Sequence, residues 1–291
     1  MTIALWRLRV DGRVVLARGD SAAGPQELLA GDLDIERFLT DDLFGALQSL
    51  PAEGPVPPER VVLPPVDRQP VWAAGVTFER SRAARREEAD DGGDVYDRVY
   101  AARRPELFAK ATAETVVGTG DTVGIRADST WNVPEAELVL IADRTGQARA
   151  LTLGNDMSSR SIEGENPLYL PQAKVYDHSC ALGPCLVPVA AAPAWNVLEL
   201  SIAISRDGRE IYADTVSLSA MRRSPEELLA WLVAATSFPA GVALFTGTSM
   251  VPPPDLTLAA GDEVSIANLY LGTLRNRVAV VGRAVAGEMF T

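Results

Sequence analysis

The most constraining feature of the chain is a short apolar run with two carboxylates at its start. Residues 138–142 are all apolar and precede Asp143 and Gly146, an arrangement typical of a strand that enters the core and ends at a turn. Glu135 and Glu137 lie just before this run. Because alternate residues of a strand point to the same face, the two carboxylates project together. Their apolar neighbours make unpaired charge costly there.

A hairpin brings a third carboxylate to the same place. With the turn centred between Thr145 and Gly146, the numbers of facing residues add up to 291, so Asp156 lies opposite Glu135. Three carboxylates at one end of a hairpin repel one another unless a cation lies between them. An all-oxygen ligand set suits a hard divalent cation, Mg²⁺ or Mn²⁺ before Zn²⁺. The alternative is two solvated glutamates at a strand edge and an aspartate in a turn.

Length and charge limit the class of protein. The chain has 291 residues, 47% of them hydrophobic and 23% charged, which is typical of an ordinary soluble globular protein. Its apolar runs are shorter than a membrane span, and its N-terminus lacks the layout of a signal peptide. The net charge of −12 argues against nucleic acid or an anionic membrane surface as a partner. Cys180 and Cys185, the only cysteines, argue against a disulfide framework and cysteine-ligated zinc, so we expect a cytoplasmic protein.

Lysine is rare in this chain. Of its 27 basic residues, 25 are arginine, and only Lys110 and Lys174 are lysine. A coding bias that favours arginine leaves lysine where arginine cannot serve, and the usual reason is the need for a compact ammonium. The alternative for each lysine is chance survival or a packing position.

The remaining pattern predicts many strands and few helices. The turn dipeptides Asp11-Gly12 and Asp207-Gly208 separate alternating runs, and Ser224 is a typical N-cap for an amphipathic helix that ends near Ala235. Residues 158–174 are interrupted by glycine and proline and predict a long loop. We predict strands at 3–10, 13–17, 71–76, 122–126, 197–204, 211–218, 242–248 and 263–267, and further helices at 34–50, 79–90 and 96–102.

This balance favours a strand-rich α+β fold over alternating βαβ units. The proline-rich run 51–70 is typical of a linker or an extended edge. We therefore predict a small N-terminal domain, residues 1–65, with no chemistry of its own, followed by a larger domain, residues 66–291, that carries the site.

Several segments of the larger part occur in an informative order. They are Arg-Pro-Glu-Leu-Phe-Ala-Lys-Ala at 104–111, Pro-Glu-Ala-Glu-Leu at 134–138, Gly-Asn-Asp at 154–156, Glu-Asn-Pro-Leu-Tyr-Leu-Pro-Gln-Ala-Lys at 165–174, Met-Arg-Arg at 221–223 and Thr-Gly-Thr at 246–248. From about Val71 to Val251 the chain thus resembles the C-terminal domain of the fumarylacetoacetate hydrolase superfamily. It is most similar to the branch of 2-dehydro-3-deoxy-D-arabinonate dehydratases. Glu-x-Glu alone is weak evidence, whereas the ten-residue run that ends at Lys174 is specific.

The resemblance implies a fold and a cofactor. The fold is the mixed β-roll or β-sandwich of the fumarylacetoacetase C-terminal type behind a small N-terminal domain, usually in a homodimer or homotetramer. The cofactor is Mg²⁺, with Mn²⁺ or Ca²⁺ as substitutes, held by Glu135, Glu137 and Asp156, the same trio that the hairpin brings together.

The resemblance also implies roles for other residues. Lys174 and Glu106 match the acid and base positions of the dehydratase branch, with Glu79 as a reserve, and Thr248 matches a hydroxyl near the substrate. Arg160 and Tyr169 complete the candidate substrate-binding residues. The alternatives are ordinary structural roles: Glu106 pairs with Arg104 or Lys110, Glu79 lies on a solvated helix, Thr248 packs in a strand turn, Arg160 pairs with a nearby glutamate and Tyr169 forms a lid or wall.

One departure from the superfamily pattern helps to choose an activity. Hydrolases and decarboxylases of this superfamily share a Tyr-x-x-His pattern, and its histidine activates water. The matching stretch here is Phe78-Glu79-Arg80-Ser81, so Ser81 stands where histidine would be. The only histidine, His178, lies in another segment, and we leave it out of the site.

The implied substrate is a 2-oxo-3-deoxy sugar acid. A chelated cation acts as a Lewis acid for the charge that develops when a C3 proton leaves. Loss of the C4 hydroxyl needs a general acid, and a later proton shift from C5 gives 2,5-dioxopentanoate. Lys174 is the first candidate for the base, because a cation favours the neutral form of a neighbouring amine, and Glu106 is the candidate acid; the two roles can be exchanged. A Schiff base through Lys174 is disfavoured, since the cation already supplies an electron sink.

Two other functions stay open. A C–C bond hydrolase or decarboxylase acting on a dicarbonyl acid would use another base, and hydrolysis would give two fragments where dehydration gives one. A paralogue that binds metal and a 2-oxo acid without turnover would give no product at all.

Overall fold

The computed structural model describes residues 2–88 and 94–283. In these ranges the chain has the predicted strand-rich α+β fold. Its α-helices are α1 (Ile35–Thr40), α2 (Glu79–Glu88), α3 (Asp94–Ala101), α4 (Arg160–Glu165), α5 (Leu170–Lys174) and α6 (Pro225–Val233). Short 3₁₀ helices lie at Leu43–Ser49, Ala113–Thr115, Pro167–Tyr169, Val189–Ala191, Trp195–Val197 and Leu218–Ala220.

The strands run through the whole of the described chain. In order they are β1 (Ile3–Val10), β2 (Arg13–Asp20), β3 (Gly24–Leu29), β4 (Ala52–Pro55), β5 (Val61–Val62), β6 (Val71–Gly75), β7 (Glu106–Ala111), β8 (Thr122–Arg126), β9 (Asn132–Val133), β10 (Ala136–Ala142), β11 (Ala148–Asp156), β12 (Ser158–Ser159), β13 (Cys180–Pro188), β14 (Glu199–Arg206), β15 (Arg209–Ser217), β16 (Val242–Phe245), β17 (Glu263–Asn268) and β18 (Gly272–Val281).

Most of these strands belong to one large mixed sheet. Its order is β4-β3-β2-β1-β13-β11-β10-β16-β6-β7, with β5 paired to β1. A second sheet has the order β15-β14-β17-β18-β8, and β9 pairs with β12. The pairs β6–β16 and β8–β18 are parallel. Both sheets are therefore mixed, because each contains parallel and antiparallel pairs.

Strand β10 lies in the interior of the large sheet and is buried on both faces. Leu138 faces a core that it shares with Ile202 of the second sheet. Val139 faces the opposite core together with Phe245. A strand covered on both faces needs apolar residues at every position, which is why residues 138–142 form an unbroken apolar run.

The hairpin register predicted from the sequence is confirmed. Ala136 faces Asn155 and Glu137 faces Gly154, and the Asp156 amide donates to the Glu135 carbonyl at 2.9 Å. A register shift at Ala142 near the turn does not reach the carboxylate end of the hairpin.

The prediction of a long loop at 158–174 is wrong, because the chain there forms β12, α4, a 3₁₀ helix and α5. The Ser159 hydroxyl accepts from the Ile162 amide at 3.4 Å, and the Asn166 side chain accepts from the Leu168 amide at 2.9 Å. A proline lies in the first turn of both the 3₁₀ helix and α5, where its missing N–H is not needed. The residues that suggested a broken chain are therefore helix starts.

Other predicted elements differ mainly at their ends. The helix predicted at 34–50 is interrupted, because Asp42 adopts a left-handed φ of 53° and a 3₁₀ helix follows. The strand predicted at 242–248 ends at Phe245. The helix after Ser224 is confirmed, with the Ser224 hydroxyl accepting from the Glu227 amide at 3.1 Å. Residues 89 and 90, the end of the helix predicted at 79–90, lie outside the described residues.

The N-terminal strands continue the large sheet. Strand β1 pairs with β13 through Leu5 and Leu186, and Leu5 and Phe38 share a core with Val139. The division into residues 1–65 and 66–291 stays a prediction. In the described ranges, none of the helices combines the length and apolarity needed to cross a bilayer.

Candidate metal centre and active site

Three carboxylates converge at the end of the β10–β11 hairpin. One oxygen of each of Glu135, Glu137 and Asp156 lies within 4.8 Å of the others, and all three side chains are buried. Glu135 and Glu137 project together because they are two residues apart at the start of β10, and Asp156 ends the strand that faces them. The alternative of solvated glutamates is therefore wrong.

Glu137 is held by the backbone of the segment that follows β16. Its Oε2 accepts from the Gly247 amide at 2.6 Å. Gly247 has a φ of +93°, and a Cβ built there would lie 2.0 Å from Thr77 Oγ1. Only glycine fits this position without displacing Thr77, whose hydroxyl donates to the Thr246 carbonyl at 2.7 Å.

The carboxylate of Glu137 is costly to ionise in this place. Burial is the main cause, and repulsion by Asp156 and then Glu135 adds to it, so the pKa of Glu137 is raised well above 4.5. The Lys174 ammonium and the Gly247 amide act in the opposite direction but do not cancel these effects.

Lys174 lies among the carboxylates. Its Nζ donates to Glu135 Oε2 at 2.7 Å, to Asp156 Oδ2 at 3.0 Å and to Ser158 Oγ at 2.6 Å. The side chain is only 3% exposed, so these oxygens form its immediate environment. Helix α5 supports this position, since Lys174 is its last residue.

Two more cations surround the trio. Lys110 Nζ lies 2.6 Å from Asp156 Oδ1. Arg160 donates through Nη2 to Glu135 and through Nη1 to Glu163 at 2.9 Å. The site is thus a buried network in which carboxylates alternate with cations, and such a network persists only when its members are mutually paired.

A cavity opens onto the trio. Its walls include Glu106, Thr248, Ser81 and Leu170, in addition to the three carboxylates and Lys174. Glu106 is half-buried at the start of β7, opposite Gly75 of β6. A Cβ built on Gly75 would lie 2.0 Å from Glu106 Oε2, so glycine leaves room for this carboxylate against the backbone.

Some predicted site residues lie elsewhere. The Glu79 side chain is 71% exposed and pairs with Arg82 at 2.8 Å, outside the cavity. Arg160 is buried against Glu135 and Glu163 and does not line the cavity. Tyr169 is 41% exposed and is also absent from the cavity wall. His178 is exposed, with its Nδ1 3.1 Å from the Thr122 carbonyl.

Sequence reasoning missed three residues that the structure brings to the site. Glu163 is buried and lines the cavity, Ser158 accepts from Lys174, and Lys110 contacts Asp156. The rarity of lysine was a signal for Lys110. Glu163 and Ser158 lie in the segment that was predicted as a loop, so no periodic pattern pointed to them.

The residues of this centre fit a hard divalent cation. The donors are carboxylate oxygens only, which suits Mg²⁺. Asp156 Oδ1 is buried with the Lys110 ammonium 2.6 Å away, and a carboxylate oxygen that meets one ammonium keeps a second lone pair. Glu137 accepts from a neutral amide and not from a cation. Both carboxylates therefore keep lone pairs for an ion.

Comparison with known families decides the relationship. Residues 79–279 match the model of the fumarylacetoacetate hydrolase C-terminal domain. The chain belongs to the fumarylacetoacetate hydrolase family. The resemblance drawn from the motifs is confirmed, and the β10–β11 hairpin that carries Glu135, Glu137 and Asp156 lies within the matched residues.

Two named proteins are similar in sequence to most of this chain. A probable 2-keto-3-deoxyxylonate dehydratase of Haloferax volcanii is 47% identical over 253 residues, which cover 87% of this chain and 82% of the relative. A 2-dehydro-3-deoxy-D-arabinonate dehydratase of Saccharolobus solfataricus is 38% identical over 213 residues, which cover 72% of each chain.

Solved structures of related proteins are similar to the structure of this chain. A 2-keto-3-deoxy-D-arabinonate dehydratase complexed with magnesium and 2,5-dioxopentanoate superposes with a TM-score of 0.84 at 29% identity, covering 96% of this chain and 99% of that chain. A 5-carboxymethyl-2-hydroxymuconate delta-isomerase from Mycobacterium smegmatis, 22% identical with a TM-score of 0.69 over 96% of this chain and 100% of that chain, shares the fold.

Proposed function

We propose that this protein is a Mg²⁺-dependent dehydratase that converts a 2-keto-3-deoxy-pentonate to 2,5-dioxopentanoate. The observation that carries the proposal is the buried trio of Glu135, Glu137 and Asp156 at the base of a cavity that also contains Lys174 and Glu106. Relatives named as 2-keto-3-deoxy-pentonate dehydratases support the choice of substrate.

Glu135, Glu137 and Asp156 would hold the cation. When bound, Mg²⁺ supplies Lewis-acid chemistry that favours loss of a proton next to the keto group of the substrate. The chain contributes an enclosed surrounding, because all three carboxylates are less than 5% exposed. Thr248 lies on the cavity wall and is the proposed hydroxyl contact of the substrate.

Lys174 is the proposed base for the C3 proton. Its Nζ lies within 3.0 Å of oxygens of Glu135 and Asp156 and lines the same cavity, so it would lie close to a 2-oxo acid bound at these carboxylates. Lys174 acts as a base after the ammonium that donates to these oxygens has lost one proton, and a divalent cation held by the same carboxylates would favour that loss.

Glu106 is the proposed acid that protonates the departing C4 hydroxyl. It lines the same cavity from strand β7, on a different element from Lys174. Lys174 takes the C3 proton, and the C4 hydroxyl leaves as water with the proton from Glu106, which creates a C3–C4 double bond with the net loss of one water. A proton then shifts from C5 through the conjugated system, and the C5 alcohol carbon becomes the aldehyde of 2,5-dioxopentanoate.

Ser81 disfavours hydrolysis through a histidine base. It lines the cavity. In the Tyr-x-x-His pattern of the related hydrolases, a histidine occupies this position. Its hydroxyl donates to the Phe78 carbonyl at 2.8 Å and stabilises the start of α2. A serine hydroxyl tied to a carbonyl is not a base of the strength that water activation requires.

The test is turnover of 2-keto-3-deoxy-pentonate with Mg²⁺, followed by detection of the C5 semialdehyde. We expect Glu135→Gln and Glu137→Gln to abolish turnover while their circular dichroism stays that of the parent. Removal of Mg²⁺ by a chelator should have the same effect, reversed when Mg²⁺ is returned. Full turnover by either variant or by the metal-free protein would overturn the proposal, and two fragments in place of one product would identify a C–C hydrolase.

Assembly and location complete the proposal. We infer a homodimer or homotetramer that acts on this small 2-oxo acid in the cytoplasm. Light scattering coupled to size-exclusion chromatography measures the assembly, and a single peak at 31.1 kDa would show a monomer and contradict this part.

A further inference from the structure

Lys110 has no role in the proposed reaction, although it contacts one of the candidate metal ligands. It is fully buried, with an exposed fraction of 0%, and it does not line the cavity. A buried ammonium is costly unless oxygens surround it, so its position needs a reason beyond packing. Lys110 and Lys174 are the only lysines among the 27 basic residues, and both contact Asp156, one at each carboxylate oxygen.

Three oxygens surround the Lys110 ammonium. Its Nζ lies 2.6 Å from Asp156 Oδ1 and donates to the Met157 carbonyl at 3.0 Å and to the Lys174 carbonyl. These oxygens come from the end of β11, the residue after it and the last residue of α5. One ammonium therefore connects a metal-ligand candidate to the helix end that carries the candidate base.

A β-bulge directs this side chain inward. In the pairing of β7 with β6, Ala111 faces Val71 and Ala109 faces Trp72, so Lys110 is an extra residue without a partner. A bulge changes the direction of a side chain at the cost of local pairing, and such irregularities are common beside active sites. Arginine would carry the same charge, but its planar guanidinium is larger and cannot direct three protons from one nitrogen.

We propose that Lys110 is a positioning residue that sets the orientation of the Asp156 carboxylate for the divalent cation and the distance of Lys174 from it. The inference rests on the metal-binding part of the proposed function. Replacing a residue that contacts a metal ligand, without contacting the metal, typically lowers metal affinity about 10- to 100-fold. We expect a loss of Mg²⁺ affinity of this size when Lys110 is replaced.

Two substitutions separate position from charge. Lys110→Arg keeps the charge and changes the geometry, whereas Lys110→Met removes the charge from a side chain of similar length. We expect both to weaken Mg²⁺ binding by roughly 10- to 100-fold, measured by calorimetry on the metal-free full-length protein. Mn²⁺ bound to either variant should also give an altered electron paramagnetic resonance spectrum, because Asp156 presents its oxygens differently.

Arg223 is the matched control. It is also buried and contacts one carboxylate, Glu227 at 2.7 Å, and two carbonyls, Arg103 at 3.1 Å and Ala102. Arg223→Lys and Arg223→Met should lower the melting temperature and leave Mg²⁺ affinity and the Mn²⁺ spectrum unchanged. A purely structural role for Lys110 predicts the same behaviour for its variants.

The outcomes are distinct. Lys110→Arg with parental Mg²⁺ affinity overturns the inference, and so does Lys110→Met with equal or tighter binding, since loss of repulsion would then outweigh loss of orientation. If Lys110→Arg does not fold, Lys110→Met decides alone. A parent protein that binds neither Mg²⁺ nor Mn²⁺ would instead overturn the proposed function, and this result is recognised before any variant is made.

Discussion

At the scale of single residues, charge and proton transfer can be separated at Lys174. Lys174→Arg keeps a cation beside Glu135 and Asp156, but a guanidinium does not release a proton near neutral pH. We therefore expect kcat to fall by about 10²- to 10⁴-fold, the usual contribution of general acid–base catalysis. The measurement is kcat for 2-keto-3-deoxy-pentonate at saturating Mg²⁺, together with Mg²⁺ affinity as a control for the site. A variant that keeps most of the rate would show that Lys174 acts only through its charge.

The same scale shows what the sequence can predict about the site. Glu135, Glu137 and Asp156 follow from strand alternation and one turn, because both rules act over a few residues. Lys110 does not follow from such rules, since its contact with Asp156 joins residues that are far apart in the chain. Glu163 pairs with Arg160 only three residues away, but this pair lies on helix α4, in a segment that was predicted as a loop. Lys110 meets Asp156 from a different strand of the same sheet, and β10, β16 and β6 lie between the two strands, so the contact depends on how the whole sheet folds.

At the scale of elements, the segment between β12 and α5 positions Lys174 through its helix caps. Asn166→Ala removes the side-chain oxygen that accepts from the Leu168 amide at 2.9 Å, and Ser224→Ala removes the equivalent cap of α6. We expect each to cost about 1 kcal/mol of unfolding free energy, measured by denaturant titration. Only Asn166→Ala should also lower kcat, because its helix leads into Lys174. Equal kcat values for the two variants would argue that the segment has no part in placing the base.

This segment also explains where prediction of elements failed. Short helices have little periodicity, and glycine and proline usually indicate loops. Residues 158–174 were therefore predicted as a single loop. The caps Ser159 and Asn166 and the prolines in the first turns are visible in the sequence, but each is also typical of a turn. Helix α6 was predicted correctly because its Ser224 cap precedes a longer amphipathic run.

At the scale of the whole molecule, Glu137 links stability and metal binding to pH. Its raised pKa means that the folded protein favours the protonated form. That contribution to stability is fully present below the ordinary value of 4.5 and is lost as pH rises through the folded pKa. A cation needs the ionised carboxylate and replaces this proton. The rise in melting temperature caused by Mg²⁺ should therefore grow with pH above 4.5 and level off above the folded pKa.

The measurement is thermal unfolding with and without Mg²⁺ at several pH values above 4.5. Glu137→Gln is the control, because an amide mimics the protonated acid and does not titrate. We expect its metal-free stability to depend less on pH than that of the parent. A parent protein whose Mg²⁺-induced shift is the same at every pH would contradict the link.

The largest scale concerns whether residues 1–65 form a unit of their own. Strand β1 extends the central sheet through β13, and Phe38 is fully buried in a core that also contains Val139 and Phe245. Because this core is shared, we expect one calorimetric unfolding transition whose calorimetric and van't Hoff enthalpies agree. Phe38→Ala should destabilise that transition by about 3–5 kcal/mol without splitting it. Two transitions, of which only one moves in Phe38→Ala, would instead show that the N-terminal part folds independently behind a true linker at 51–70. In that case the hairpin that carries Glu135, Glu137 and Asp156 would owe none of its rigidity to the first 65 residues.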